Sequence, residues 1–192
     1  AFGALPLTGS EWLPILHGEG HLTDPAEEAE SIAHLDVVGD SEHPAGHWSM
    51  DSSTVYLRMR LAASPDEAGL SPFVCSIYAC QWSVLVNTDE DLADFERALV
   101  LSNGAATLQL RTDAIGPGWM AATSTVLFEE TGPLASGLAR ANPASSSVGG
   151  GSDSFVELAV PRVWLGLSSS DATVQVALAT GIGLSGAGMD VD

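Results

Sequence analysis

The segment Thr54–Ala62, TVYLRMRLA, alternates without a break, with Val55, Leu57, Met59 and Leu61 on one side and Tyr56, Arg58 and Arg60 on the other. A period of two is the signature of a strand with one face turned to a core; a helix would scatter the same side chains around its axis. Phe95–Leu101 alternates in the same way, and Ser102-Asn103-Gly104-Ala105 follows it. Asn-Gly tolerates positive φ at both central positions of a tight turn, so this is a hairpin signal with Ala106–Arg111 as the return strand. A hairpin requires antiparallel pairing.

The rest of the chain repeats the pattern. Phe73–Val86 is apolar and rich in β-formers, and reads as one buried strand or as two with a bend. Met120–Phe128, Phe155–Val160 and Thr173–Thr180 are further strands, with Pro161 ending one of them or placing it at an edge. The composition of residues 141–154, ANPASSSVGGGSDS, predicts a flexible loop. Residues 1–30 mix turn formers with acids and form an N-terminal extension, with AEEAE able to make one helical turn. Residues 31–192 form the domain proper. The fold class is all-β: an antiparallel β-sandwich, jelly-roll or immunoglobulin-like, of about eight to ten strands. A chain of 192 residues buries enough surface to fold without a metal or a disulfide.

Charge narrows the partners. Acidic residues number 25 and basic residues 6, all of them Arg, for a net charge of −19. Nucleic acid demands a cationic face that this chain cannot build. An anionic membrane surface would repel it, and no run of about 20 apolar residues offers a membrane insertion. The chain opens on AFGALPL without a charged leader, as a mature terminus left by a signal peptidase would. The expected localisation is therefore extracellular or cell-surface.

Cys75 and Cys80 are the only cysteines. In a continuous strand they would lie about 16 Å apart on opposite faces, whereas a disulfide needs Cα atoms within about 7 Å. They pair if residues 76–79 turn or bulge, and are otherwise two small buried thiols.

Four segments in order carry a family likeness: LDVVGDSEHPAGHW (35–48), VYLRMRL (55–61), WSVLVNTDEDLADFE (82–96) and GSDSFVELAVPRVWL (151–165) followed by VALATG. Together they resemble a β-sandwich domain of secreted and surface bacterial proteins, similar to the DOMON superfamily and to family 9 carbohydrate-binding modules. The resemblance spans roughly residues 35–185. It implies a largely non-enzymatic module that binds sugars or haem, often with structural calcium, or serves as a surface building block. The long His-containing N-terminal segment and the two cysteines depart from that pattern.

Several groups of residues could carry chemistry. Asn87, Asp89, Asp91 and Asp94 concentrate oxygen ligands on one turn, as calcium requires. It is not an EF-hand, because Leu92 and Ala98 replace the Gly and Glu of that loop. The alternative is a solvated acidic turn. Arg58 and Arg60 lie opposite the apolar face of their strand, while Glu96 and Glu157 interrupt apolar strands. Cross-strand Arg–Glu ion pairs are the structural reading, and a polar anchor for a ligand on a concave sheet face is the functional one.

Trp82 and Trp164, within apolar strands, belong to the core, whereas Trp48 and Trp119 adjoin turns and are candidate sugar-stacking platforms. His17/His21 and His43/His47 share an i,i+4 spacing, but neighbouring Gly and Pro argue against the helix that would join them on a metal. Haem is not expected, since Met59, an axial candidate, falls on the apolar face. No GxSxG, HExxH or P-loop is present, so no enzyme is expected.

Residues 1–16 carry seven large apolar side chains and one charge, Glu11. Such a segment must be covered by its own sandwich or by another subunit. Two functions follow: a secreted structural subunit that self-associates into a homopolymer, a filament or sheath, with the extension as a candidate intersubunit arm; or a calcium-dependent module that binds polysaccharide.

Overall fold

The computed structural model describes residues 5–6, 11–25, 33–65, 80–88, 95–102, 107–114, 125–148, 150–167, 174–182 and 190–191. Among them run β1 (Leu13–Pro14), β2 (Leu16–His17), β3 (Gly20–His21), β4 (Gly46–Met50), β5 (Thr54–Leu61), β6 (Cys80–Asn87), β7 (Phe95–Ser102), β8 (Thr107–Ala114), β9 (Thr125–Thr131), β10 (Ala139–Pro143), β11 (Ser154–Pro161), β12 (Gln175–Ile182) and β13 (Asp190–Val191). Helix among the described residues is confined to short turns such as Ala33–Leu35, Pro133–Ser136 and Arg162–Leu165. None is long and apolar enough to cross a membrane.

The fold is an antiparallel β-sandwich. One sheet has the order β1-β4-β5-β11-β10 and the other β13-β12-β6-β7-β8-β9; β2 and β3 make a separate small hairpin. The chain alternates between layers: β4–β5 in the first, β6–β9 in the second, β10–β11 back in the first, β12–β13 in the second. A common core lies between the sheets. Leu57, Met59, Leu61, Val156 and Leu158 enter it from one side, and Trp82, Val84, Leu99, Leu101, Leu108, Leu110 and Leu178 from the other. Met59 is thus a core side chain.

The alternation of Thr54–Ala62 becomes β5, and Phe95–Leu101 becomes β7, paired with β8 from Phe95↔Ala114 to Ser102↔Thr107. Residues 103–106, which hold the Asn103-Gly104 pair of the predicted turn Ser102–Ala105, lie outside the described residues, as do residues 73–79 and the AEEAE turn. Pro161, whose ring nitrogen has no hydrogen to donate, is the last residue of β11.

Three expectations are corrected. Trp164 is not on a strand: the chain turns at Pro161 into the helical turn Arg162–Leu165, where Trp164 stacks on Phe128 with centroids 4.4 Å apart. The strand predicted over Met120–Phe128 is described only from Thr125 and runs on to Thr131. The segment 141–154 contains more structure than its composition suggests. Asn142 and Pro143 complete β10, and Ser154 opens β11. Between them Ala144 N–H donates to Asp153 O at 2.9 Å, and Asp153 N–H to Ser146 O at 3.2 Å.

β4 and β10 were not anticipated, because GHWSM and ARANP show no apolar alternation. Both faces of β5 are buried, so its outward residues also lie under cover. The N-terminal segment contributes to that cover: Leu5 and Trp12 are buried, β1 pairs with β4 as Leu13↔Trp48 and Pro14↔His47, and Ile15 N–H donates to Gly46 O.

At Gly39, bridged to Asp24 by two backbone hydrogen bonds, an added Cβ would stand 2.4 Å from the backbone nitrogen of Ala45. Backbone cannot move aside as a side-chain tip can. Gly39→Ala is therefore expected to lower stability by several kcal/mol in equilibrium denaturation, on the order of the largest single-substitution effects. Gly20→Ala, whose Cβ would meet nothing closer than 3.9 Å, is expected to change it little.

Candidate functional site

The outer face of the five-stranded sheet carries the main concentration of charge among the buried residues. The registers Pro14↔His47, His47↔Arg58, Arg58↔Glu157 and Glu157↔Arg140 line up one residue from each of five adjacent strands. Directly opposed residues of antiparallel strands share a face, so these side chains form one row. Arg60, Phe155 and Asn142 form the next row.

Glu157, 2% exposed, is the hub. Its Oε1 lies 3.7 Å from Arg58 Nη1. Its Oε2 accepts from Arg140 Nε at 2.6 Å and from Asn142 Nδ2 at 3.0 Å, and pairs with Arg140 Nη2. Arg140 Nη2 also donates to the carbonyl of Pro6 at 2.7 Å, tying the N-terminal segment to this face. The Arg58 guanidinium lies between two rings, 4.6 Å from the Trp12 centroid and 4.0 Å from that of Phe155. Arginine stacks well there because its planar cation is weakly hydrated.

Arg60 lies 4.6 Å from the Phe155 centroid and donates from Nε to Pro44 O at 3.2 Å and from Nη1 to Ser146 Oγ. Its counter-charge is the buried Asp153, 3.9 Å away, whose Oδ2 also accepts from Ser146 Oγ at 2.7 Å and Val148 N–H at 2.9 Å.

His47 sits in the same face, edge-on to Phe155 at 5.7 Å. Its Nδ1 is buried without a hydrogen-bond partner. Burial first, and then the nearby Arg58 and Arg60 charges, pull its pKa down to about 3. The imidazole is neutral near pH 7. Three guanidinium groups then face two carboxylates, and the face can orient and neutralise charge.

The predicted Arg–Glu pairing is formed by Arg58 and Glu157. Glu96 does not take part: it accepts from the backbone N–H and, at 3.0 Å, the hydroxyl of Thr88. It sits on β7 in the other sheet, where it ties together the two sides of the acidic loop. Asn87 stands at the same neck and donates from Nδ2 to Gln175 Oε1 at 3.2 Å. Asp89, Asp91 and Asp94 lie outside the described residues, as does Trp119. Trp48 is 37% exposed in the middle of β4, beside exposed Leu13 and Met50. Cys80 is disulfide-bonded, its Sγ 3.7 Å from His34 Nε2; Cys75, the only other cysteine of the chain, lies outside the described residues.

The i,i+4 histidines take separate positions. His17 and His21 lie on the β2–β3 hairpin, His43 pairs with Asp40 at 3.2 Å, and His47 is buried in the charged row. Among the described residues no group of three or more His, Cys, Asp or Glu could hold a metal ion.

Arg140, Asn142, Ser146 and Asp153 escaped the sequence reading because they lie in or beside the Ser/Gly-rich stretch. Trp12 and Phe155 escaped because nothing local marks them as covers for an arginine. Phe155 and Glu157 share the parity of Arg58 and Arg60 in a facing strand, and that was the available signal.

No protein-family model matches this chain, and no curated protein or solved structure is found similar to it.

Two outcomes follow. Glu157→Gln leaves the part-buried Arg58 and Arg140 short of a counter-charge and should cost about 2–4 kcal/mol in denaturant titration, toward the lower end for breaking a buried pair because both arginines keep some solvent. His47 resists protonation when folded and accepts a proton near its ordinary value when unfolded. It therefore lowers stability progressively as pH falls from about 6.5 toward about 3, after which its contribution levels off. Between pH 7 and 4 the native chain should lose on the order of 3 kcal/mol relative to His47→Leu, at about 1.4 kcal/mol per unit. Parallel denaturation curves at the two pH values check this.

Proposed function

We propose that this chain is a non-enzymatic structural subunit of an extracellular or cell-surface assembly, self-associating into a homopolymer such as a filament or sheath. The distribution of polar and apolar side chains carries the reading. Three of the six arginines, with Glu157 and Asp153, are engaged in closing the outer face of a sheet, whereas large apolar side chains are left at sheet edges. β9 ends the six-stranded sheet among the described residues, with Leu127 51% exposed and Val126 beside it. At the opposite sheet's edge, Leu13 is 51% exposed next to Trp48 and Met50.

An open edge with apolar side chains favours strand addition. Two different edges favour head-to-tail contacts, which propagate into fibres when they do not close. The net charge of −19 opposes such packing. Calcium at Asn87, Asp89, Asp91 and Asp94 would offset it.

Trp48 favours a second reading, a calcium-dependent carbohydrate-binding module, because an exposed indole on a strand can stack on a sugar ring. Light scattering and electron microscopy of the full chain separate the two. Large regular particles in calcium that dissociate in excess chelator are expected of the subunit. A monodisperse monomer that is retained on a glycan column, and loses retention on Trp48→Ala, would overturn it in favour of the module.

A further inference from the structure

We infer that copies of this chain join by exchanging N-terminal arms: Leu5, Pro6 and Trp12–Pro14 of one copy take, on the next, the seat they hold here on their own sheet. This rests on the self-association reading and names its route.

The seat's chemistry identifies its occupant. It offers the Arg58 guanidinium to an indole, the Arg140 Nη2 to a backbone carbonyl, and the free side of β4 to a short strand. The arm supplies Trp12, the Pro6 carbonyl and β1 in that spacing. A second copy's arm supplies the same groups, so every contact made within one chain can be remade between two.

Charge favours this face over the rest of the surface. Arg58, Arg60 and Arg140 are half of the basic residues of the chain, and residues 1–16 carry a single acid, Glu11. For two molecules of net charge −19, a segment with one acid set on a seat where Arg58 and Arg140 share the single carboxylate Glu157 meets little repulsion.

The chain also contains a hinge. Between the arm and the body lies the β2–β3 hairpin, held by only two residue pairs, Leu16↔His21 and His17↔Gly20. Gly18 turns it at φ 61 with nothing within 4 Å of a would-be Cβ, and Leu16 is 68% exposed. Beyond it the body is tied down, with Ala45 N–H donating to Leu22 O and Asp24 and Gly39 bonded reciprocally. Opening the hairpin sacrifices those pairs and the Leu22 N–H to Ile15 O bond. It lets the chain from Ile15 to Leu22 extend to about 23 Å, which carries the arm off its own sheet. Exchanged in sequence rather than reciprocally, arms build an open chain of subunits.

The test uses the register pair Leu13↔Trp48. Full-length Leu13→Cys and Trp48→Cys are made separately, leaving the native cysteines in place, refolded together and mildly oxidised. The two new thiols are on different chains, and an exchanged arm sets them opposite one another. Both positions are exposed, so collision between unexchanged copies joins like positions as readily. Exchange is read as an excess of the mixed cross-link over links between two Leu13→Cys chains or two Trp48→Cys chains. A chain carrying both substitutions controls for folding and for the geometry of the pair. Covalent heterodimers joined through these two positions, identified by peptide mass mapping, are the expected result. Particles that assemble by light scattering without that excess would overturn arm exchange and leave self-association standing. A mixture that stays monomeric, while the doubly substituted chain closes internally, would overturn both.

Discussion

Glu157 is a carboxylate 2% exposed to solvent, on the outward side of a strand whose other side is core. A lone charge there would cost several kcal/mol to desolvate. It is tolerated because Arg58, Arg140 and Asn142 converge on it. Those partners in turn require covers, since a guanidinium removed from water needs something better than an aliphatic wall. Trp12 and Phe155 supply aromatic faces for Arg58, and the Pro6 carbonyl accepts a hydrogen bond from Arg140. The N-terminal segment is thus held by the same ion pairs that it covers, and the two sides of the arrangement stand or fall together.

The second charged group obeys the same logic at the other end of the face. Asp153 is buried and accepts from Ser146 and Val148, and it balances Arg60. A stretch made of Ser and Gly, with little of its own to bury, is fixed by one carboxylate. His47 remains neutral first because it is buried, and then because protonation would add positive charge beside Arg58 and Arg60.

This economy also bears on assembly. The chain is acidic overall, yet two of its six arginines, Arg58 and Arg140, meet one short arm. Exposed apolar side chains lie on and beside that arm, at Leu13, Trp48 and Met50, and along β9, at Val126 and Leu127. Self-association through the arm would place apolar contacts where acidic repulsion is weak.

Local pattern determined the fold class, because a period of two buries one face as a strand and Asn-Gly favours a tight antiparallel turn. β5, β7, β8 and β11 follow from those rules. The Arg58–Glu157 pair was legible too, since Arg58 lies opposite the apolar face of its strand and Glu157 interrupts an apolar one. β4 and β10 were not, because GHWSM and ARANP have no period and become strands only by pairing with β5 and β11. The partners of Arg60, the assignment of Glu96 to the acidic loop, and Trp12 as the cover of Arg58 were decided by tertiary structure alone. Each depends on which strands become neighbours and in what register, and a residue 46 positions away in sequence gives no local sign that it will lie over a guanidinium.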